Sequence, residues 1–119
     1  ASLTAGGGGD EAEDVLGALG VALNMEQMST EQLKWTAGTR IIVLIGDAPA
    51  HGFANQQCTD DFQRGGGPKI IPSSPSLEDV VERASKFTLP NGGEHQKQGV
   101  DIMYIRIGNK TDHFARSFK

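Results

Sequence analysis

The sequence predicts an α/β fold in which a parallel sheet carries helices on both faces. Three observations support this. Ile41, Ile42, Val43, Leu44 and Ile45 form an apolar run without alternation, the pattern of a strand buried on both sides. A second strand-like stretch, "GVDIMYIRIG", lies some 55 residues downstream, far enough for a crossover connection rather than a hairpin. Helical periodicity precedes each of them, and the order helix, helix, strand, loop, helix, strand, helix gives right-handed crossovers. Rossmann-like describes that arrangement.

Each element has its own warrant. Val15, Leu16, Leu19, Ala22 and Leu23 fall on one helical face, predicting a first helix from about Glu11 to Met25 with Glu11, Glu13 and Asp14 in its first turn, where the helix dipole favours them. Gly17 and Gly20 weaken that helix by about 1 kcal/mol each relative to alanine. "STEQLKWTAG" reads as a short second helix, with Ser29 or Thr30 as N-cap, Gln32 at the capping-box distance and Gly38 as terminator.

After the Ile41–Ile45 strand, Gly46, Asp47 and Pro49 turn the chain away. Residues 52–75, rich in glycine and proline, show no periodicity and predict a long, partly disordered loop or functional flap. A third helix starts at Ser76, with Asp79 at its N3 position and Leu77, Val80, Val81 and Ala84 on one face, and ends at "LPNGG". In the last segment, "NKTDHFARSFK", Asn109 or Thr111 caps a helix whose Phe114 and Phe118 are spaced i, i+4.

The 119 residues suit one domain with one core. Two strands do not make a stable doubly wound sheet, so the chain reads as the C-terminal part of such a domain, with "ASLT" as the tail of an earlier strand. The start without methionine fits processing or a place within a longer polypeptide. A chain of this kind is expected to expose a sheet edge and to form homo-oligomers through it.

A net charge of −4 argues against nucleic acid as a partner. No apolar run approaches the ~20 residues of a membrane span, and no signal peptide is evident at the start. The single cysteine, Cys58, excludes an intrachain disulfide and suits a reducing, cytoplasmic setting.

Ligands of open α/β sheets gather at the carboxyl ends of the strands. Two acidic spots fall there: the run from Asp10 to Asp14, behind four glycines, and Asp47, directly after "IIVLIG". Carboxylates at a shared rim suit a hard divalent cation, whereas the bland reading has the early acids decorating a helix N-terminus. Phosphate is disfavoured, because Asp10 and Glu11 stand where a phosphate-binding loop needs Lys and Ser or Thr. His51, His95 and His113 show no zinc-ligand spacing, and His51 reads as a loop side chain satisfied by backbone. Cys58 reads as a free thiol, and no Ser-His-Asp set can be nominated.

Taken in order, "GGGGDEAEDVLGAL", "TRIIVLIGDAPAHG", "DIMYIRIG" and "NKTDHFARSF" resemble the von Willebrand factor A domain family. The variety is that associated with alpha-kinases and related intracellular proteins, which is similar to the integrin β I-like domain. The resemblance extends over nearly the whole chain. It implies a metal-ion-dependent adhesion site, built from a D-x-S-x-S motif, a Thr or acidic residue in a second loop, and an Asp after the central strand. The last maps onto Asp47. The second maps onto Asp10 in the common form or onto Glu13 in the D-x-P-E form, in which Ala12 stands at the proline, and the choice between them stays open.

No D-x-S-x-S occurs in these residues, so Mg²⁺, or Mn²⁺ or Ca²⁺ in its place, is expected to bind weakly. The implied function is that of a protein-interaction or adhesion module which grips a partner's carboxylate through the cation and is not itself an enzyme. Alternatives are a part of an alpha-kinase-type or other Mg²⁺-dependent phosphotransfer enzyme, and a structural piece that self-associates.

Overall fold

A computed structural model describes residues 9–26, 28, 32–54, 58–60, 74–89 and 98–118. They form α1 (Val15–Ala22), β1 (Ile41–Gly46), α2 (Leu77–Lys86), β2 (Asp101–Arg106) and α3 (Asp112–Arg116). The two strands pair in parallel, Ile41 opposite Asp101 through Gly46 opposite Arg106. The chain is therefore α/β, with a two-stranded parallel sheet and three helices among the described residues.

One core holds the elements together. Leu16, Leu19 and Leu23 of the α1 region, Leu77, Val80 and Ala84 of α2, and Phe114 of α3 form a single buried cluster, against which Ile42, Leu44, Ile102 and Tyr104 of the sheet pack. All three helices thus cover the same face. On the other, Ile41, Val43, Ile45, Met103 and Ile105 are 45–62% exposed. The expectation of a sheet covered on both faces is not met among the described residues. An apolar run reports β propensity on both sides of the pleat, not what lies against each side.

Helix α1 starts later than the periodicity predicts. Asp14 is its N-cap, and its side chain accepts the Gly17 amide at 3.0 Å. Glu11 and Glu13 therefore precede the helix instead of occupying its first turn. Glu13 lies in an isolated parallel bridge to Ala50: its N–H donates to the Pro49 carbonyl, and its carbonyl accepts the His51 N–H, both at 3.0 Å. The approach to α1 is thereby sewn to the chain leaving β1.

The second helix expected at "STEQLKWTAG" is absent over residues 32–38; its caps, Ser29 and Thr30, lie outside the described residues. Hydrogen bonds to the end of α1 and the turn after it hold this segment out of a helix. The Asn24 side chain accepts the Leu33 N–H at 2.7 Å and donates to the Leu33 carbonyl at 2.9 Å, as a neighbouring strand would. The Trp35 indole N–H donates to the Ala22 carbonyl at 2.9 Å. Asn24 itself has φ 54, a left-handed conformation that asparagine tolerates and that turns the chain out of α1.

Helix α2 follows its sequence signals at the start, with a full capping box between Ser76 and Asp79. It ends before "LPNGG": Phe87 is already extended and buried. The Gly99 N–H donates to the Phe87 carbonyl and the Val100 N–H to the Ala84 carbonyl, feeding the chain into β2. Gly99 has φ +90, and a Cβ there would stand 3.1 Å from the Ser85 carbonyl oxygen, so glycine is required for this approach. Thr111 precedes α3, but its side chain makes no capping bond. Most of the expected 52–75 loop, at 55–57 and 61–73, and the "ASLT" strand tail lie outside the described residues.

Candidate functional site

Because the strands are parallel, their carboxyl ends open on the same side. Asp47 follows β1 and the 107–110 turn follows β2. A cleft of about 410 Å³ lies there, lined by Glu11, Glu13, Asp47 and residues 107–110. Glu13 reaches it through the bridge to Ala50, so the same backbone pairing that shortens α1 also delivers a carboxylate to the strand ends.

Glu11 and Lys110 form an ion pair at the cleft. Glu11 is also tied to Thr59: its N–H donates to the Thr59 carbonyl and hydroxyl oxygens, and its carboxylate accepts the Thr59 N–H at 3.2 Å. The Lys110 hydrogen bond, followed by the Thr59 backbone, holds the Glu11 carboxyl below the usual carboxylate range. The same bond and the Glu11 charge push Lys110 up. Cys58, beside them, has its thiol pushed up by burial and then by the Glu11 charge.

A second group sits off this cleft. His51 Nδ1 lies 3.0 Å from Asp60 Oδ1 and 3.5 Å from Asp10 Oδ2. The three side chains each offer a donor atom, all within 4.8 Å of one another, a set that could hold a metal ion. Asp60 Oδ2 accepts the Gly52 N–H at 2.7 Å, which fixes its other oxygen toward His51.

The structure thus separates the residues singled out from the sequence. Glu13 and Asp47 line one cleft. Asp10 stands instead with His51 and Asp60, and Asp14 caps α1 while also accepting the Ser74 hydroxyl at 2.6 Å. His51 has carboxylates beside it, contrary to the expectation of a loop side chain satisfied by backbone. Sequence reasoning missed Asp60 and Lys110. Lys110 meets Glu11 across 99 positions, and Asp60 meets His51 across nine with no recognised ligand spacing.

Among the described residues no helix is long and apolar enough to cross a membrane. No family model matches the chain, and no solved structure matches it. The chain is similar to alpha-protein kinase vwkA of Dictyostelium discoideum, 34% identical over 80 residues. That match takes in 66% of this chain and 11% of the relative, so the chain spans about a tenth of the length of the curated protein it matches.

Proposed function

We propose that the chain is the C-terminal part of a von Willebrand A-like, Rossmann-type recognition module, in which Glu13 and Asp47 present carboxylates to a divalent cation. The observation that carries this reading is their common place in one cleft at the carboxyl ends of two parallel strands, where open α/β sheets bind ligands. The similarity to a protein named as an alpha-protein kinase agrees with the alpha-kinase-associated variety of the family.

The donor set fits the ion. Mg²⁺ typically takes one or two carboxylates and completes its shell with water. A bound cation supplies an open position for a carboxylate of a protein partner. In this chain Glu13 and Asp47 line the cleft, and Glu11 pairs with the Lys110 ammonium that shares it.

Calorimetric titration of the chain with Mg²⁺ and Mn²⁺ tests this. Binding is expected in the millimolar range, comparable with weak extracellular cation modules at ~10⁻⁴–10⁻³ M, and is expected to disappear in both Glu13→Gln and Asp47→Asn. Unchanged binding in those variants would sink the reading. A thermal shift that requires nucleotide together with Mg²⁺ would favour the enzyme instead.

The bare face of the sheet favours a second reading, self-association of the chain. Its five apolar side chains and the neighbouring Ile107 are about half exposed, on the order of 600 Å² per copy, near the ~800 Å² each partner gives to a standard interface. Sedimentation should then show a dimer that Ile45→Glu dissociates and Asp47→Ala leaves intact. A monomer at all concentrations would exclude it.

A further inference from the structure

We propose that Asp10, His51 and Asp60 form a separate binding site for a late first-row divalent cation, Zn²⁺ foremost. This site is independent of the cation reading for Glu13 and Asp47 and stands or falls without it.

The geometry comes first. Zn²⁺ holds His nitrogen and carboxylate oxygen at about 2.0–2.2 Å, so adjacent ligand atoms in its tetrahedral shell lie ~3.3–3.6 Å apart. His51 Nδ1 stands at 3.0 Å from Asp60 Oδ1 and 3.5 Å from Asp10 Oδ2, and the remaining separation is within 4.8 Å. The three donor atoms thus stand near the spacing of such a shell, and the His51–Asp60 pair is joined by a hydrogen bond that a bound ion would replace. Three protein ligands leave a further position for water, the pattern of open zinc sites.

The donors are also held from behind. The His51 N–H donates to the Glu13 carbonyl at 3.0 Å, which fixes the backbone that carries the ring. The Gly52 N–H engages Asp60 Oδ2 and leaves Oδ1 toward the ring. Such outer hydrogen bonds set ligand orientation in metal sites. Gly52 has φ 83, a backbone that suits glycine and lets the amide next to His51 face Asp60.

Burial and charge point the same way. The Asp60 side chain is 0% exposed, that of His51 11% and that of Asp10 16%. Carboxylate oxygens beside an imidazole nitrogen are a donor set that favours a cation. An imidazole nitrogen in the set selects Zn²⁺ and its neighbours over Mg²⁺ and Ca²⁺, which prefer oxygen throughout.

The test uses the whole chain, stripped of metal, with Co²⁺ as a spectroscopic probe for Zn²⁺. Co²⁺ is expected to give a visible d–d absorption that one equivalent of Zn²⁺ abolishes. His51→Gln and Asp60→Asn should each weaken Zn²⁺ binding at least tenfold, while Glu78→Gln, on the exposed side of α2, leaves it unchanged. Should a variant fail to fold, Co²⁺-induced shifts of the His51 ring resonances in the unsubstituted chain decide the matter. Zn²⁺ affinity unaltered by His51→Gln, unshifted His51 resonances, or a sulfur-to-Co²⁺ charge-transfer band placing Cys58 in the shell would each overturn the proposal.

Discussion

The Asp14 carboxylate and the Gly17 amide are joined across the first turn of α1 at 3.0 Å, and that contact leaves no room for a side chain at position 17. A Cβ on Gly17 would overlap the Asp14 carboxylate. Gly17→Ala should therefore forgo the ~1 kcal/mol that alanine ordinarily gains in a helix, because the substitution displaces a cap contributing ~1 kcal/mol. In an Asp14→Ala background the same change should recover that gain. Urea denaturation of the two single variants and the double variant measures the coupling, and strict additivity would show that the cap and the glycine are independent.

The Glu11–Lys110 pair predicts a pH dependence at both ends of the scale. Glu11 is depressed in the folded chain, chiefly by the Lys110 hydrogen bond. Its contribution is therefore present above the ordinary carboxylate range and lost as pH falls through its lowered folded value. Lys110 is raised by the same bond, so its contribution is present below the ordinary lysine value and lost as pH rises through its raised one. The tie spans neutral pH. An NMR titration should place the Glu11 midpoint below the usual range in the native chain, and Lys110→Ala should bring it back up. A Glu11 midpoint indifferent to that substitution would contradict the pairing.

Elements whose signals are local could be read directly from the sequence. The Ser76–Asp79 capping box involves residues three positions apart, and it forms as predicted. The two strands announce themselves by composition, and Asp47 directly follows β1. What could not be read depends on partners remote in sequence. Residues 32–38 carry helix-forming side chains, yet the Asn24 amide and the Ala22 carbonyl capture Leu33 and Trp35 and keep them out of a helix. Likewise, nothing near His51 foretells that Asp10 and Asp60 close around it.

Tyr104 and Thr111 present buried hydroxyls without a hydrogen-bond partner. The Thr111 hydroxyl is near enough to favour the phenolate slightly, without meeting the phenol in an aligned bond; burial dominates and pushes the Tyr104 phenol up. A buried unpaired polar group costs about 1–3 kcal/mol. Tyr104→Phe and Thr111→Val should accordingly be neutral or stabilise by up to ~1 kcal/mol, a rise in Tm of several degrees for a chain of this size. Since the folded phenol titrates above its ordinary value of ~10, its contribution to stability is present below that pH and lost as pH rises through the folded value. Tyr104→Phe should remove this alkaline loss, and an unchanged alkaline limb of the stability curve would refute the assignment.

Arg40 links the starts of the two strands from inside the core and should not tolerate lysine. It is 3% exposed. Its Nε donates to the Gly99 carbonyl at 3.1 Å, its Nη1 donates to the Ala37 carbonyl at 3.3 Å, and its guanidinium lies 5.7 Å from the centre of the Phe87 ring. Its own carbonyl accepts the Asp101 N–H at 3.0 Å, in line with the pairing of Ile41 opposite Asp101. Lysine keeps the charge but neither the planar fork nor the stacking surface. Arg40→Lys should destabilise the chain by about 1–3 kcal/mol, the range for leaving buried polar groups unsatisfied. The loss should appear first as faster hydrogen exchange at Asp101 and Met103, the residues next to the clamp. Lys86→Met, at an exposed ion pair with Glu82, should change stability by less than ~1 kcal/mol. Equal effects from the two substitutions would mean that the Arg40 side chain contributes nothing beyond a surface charge, and that strand register is set by the β1–β2 ladder alone.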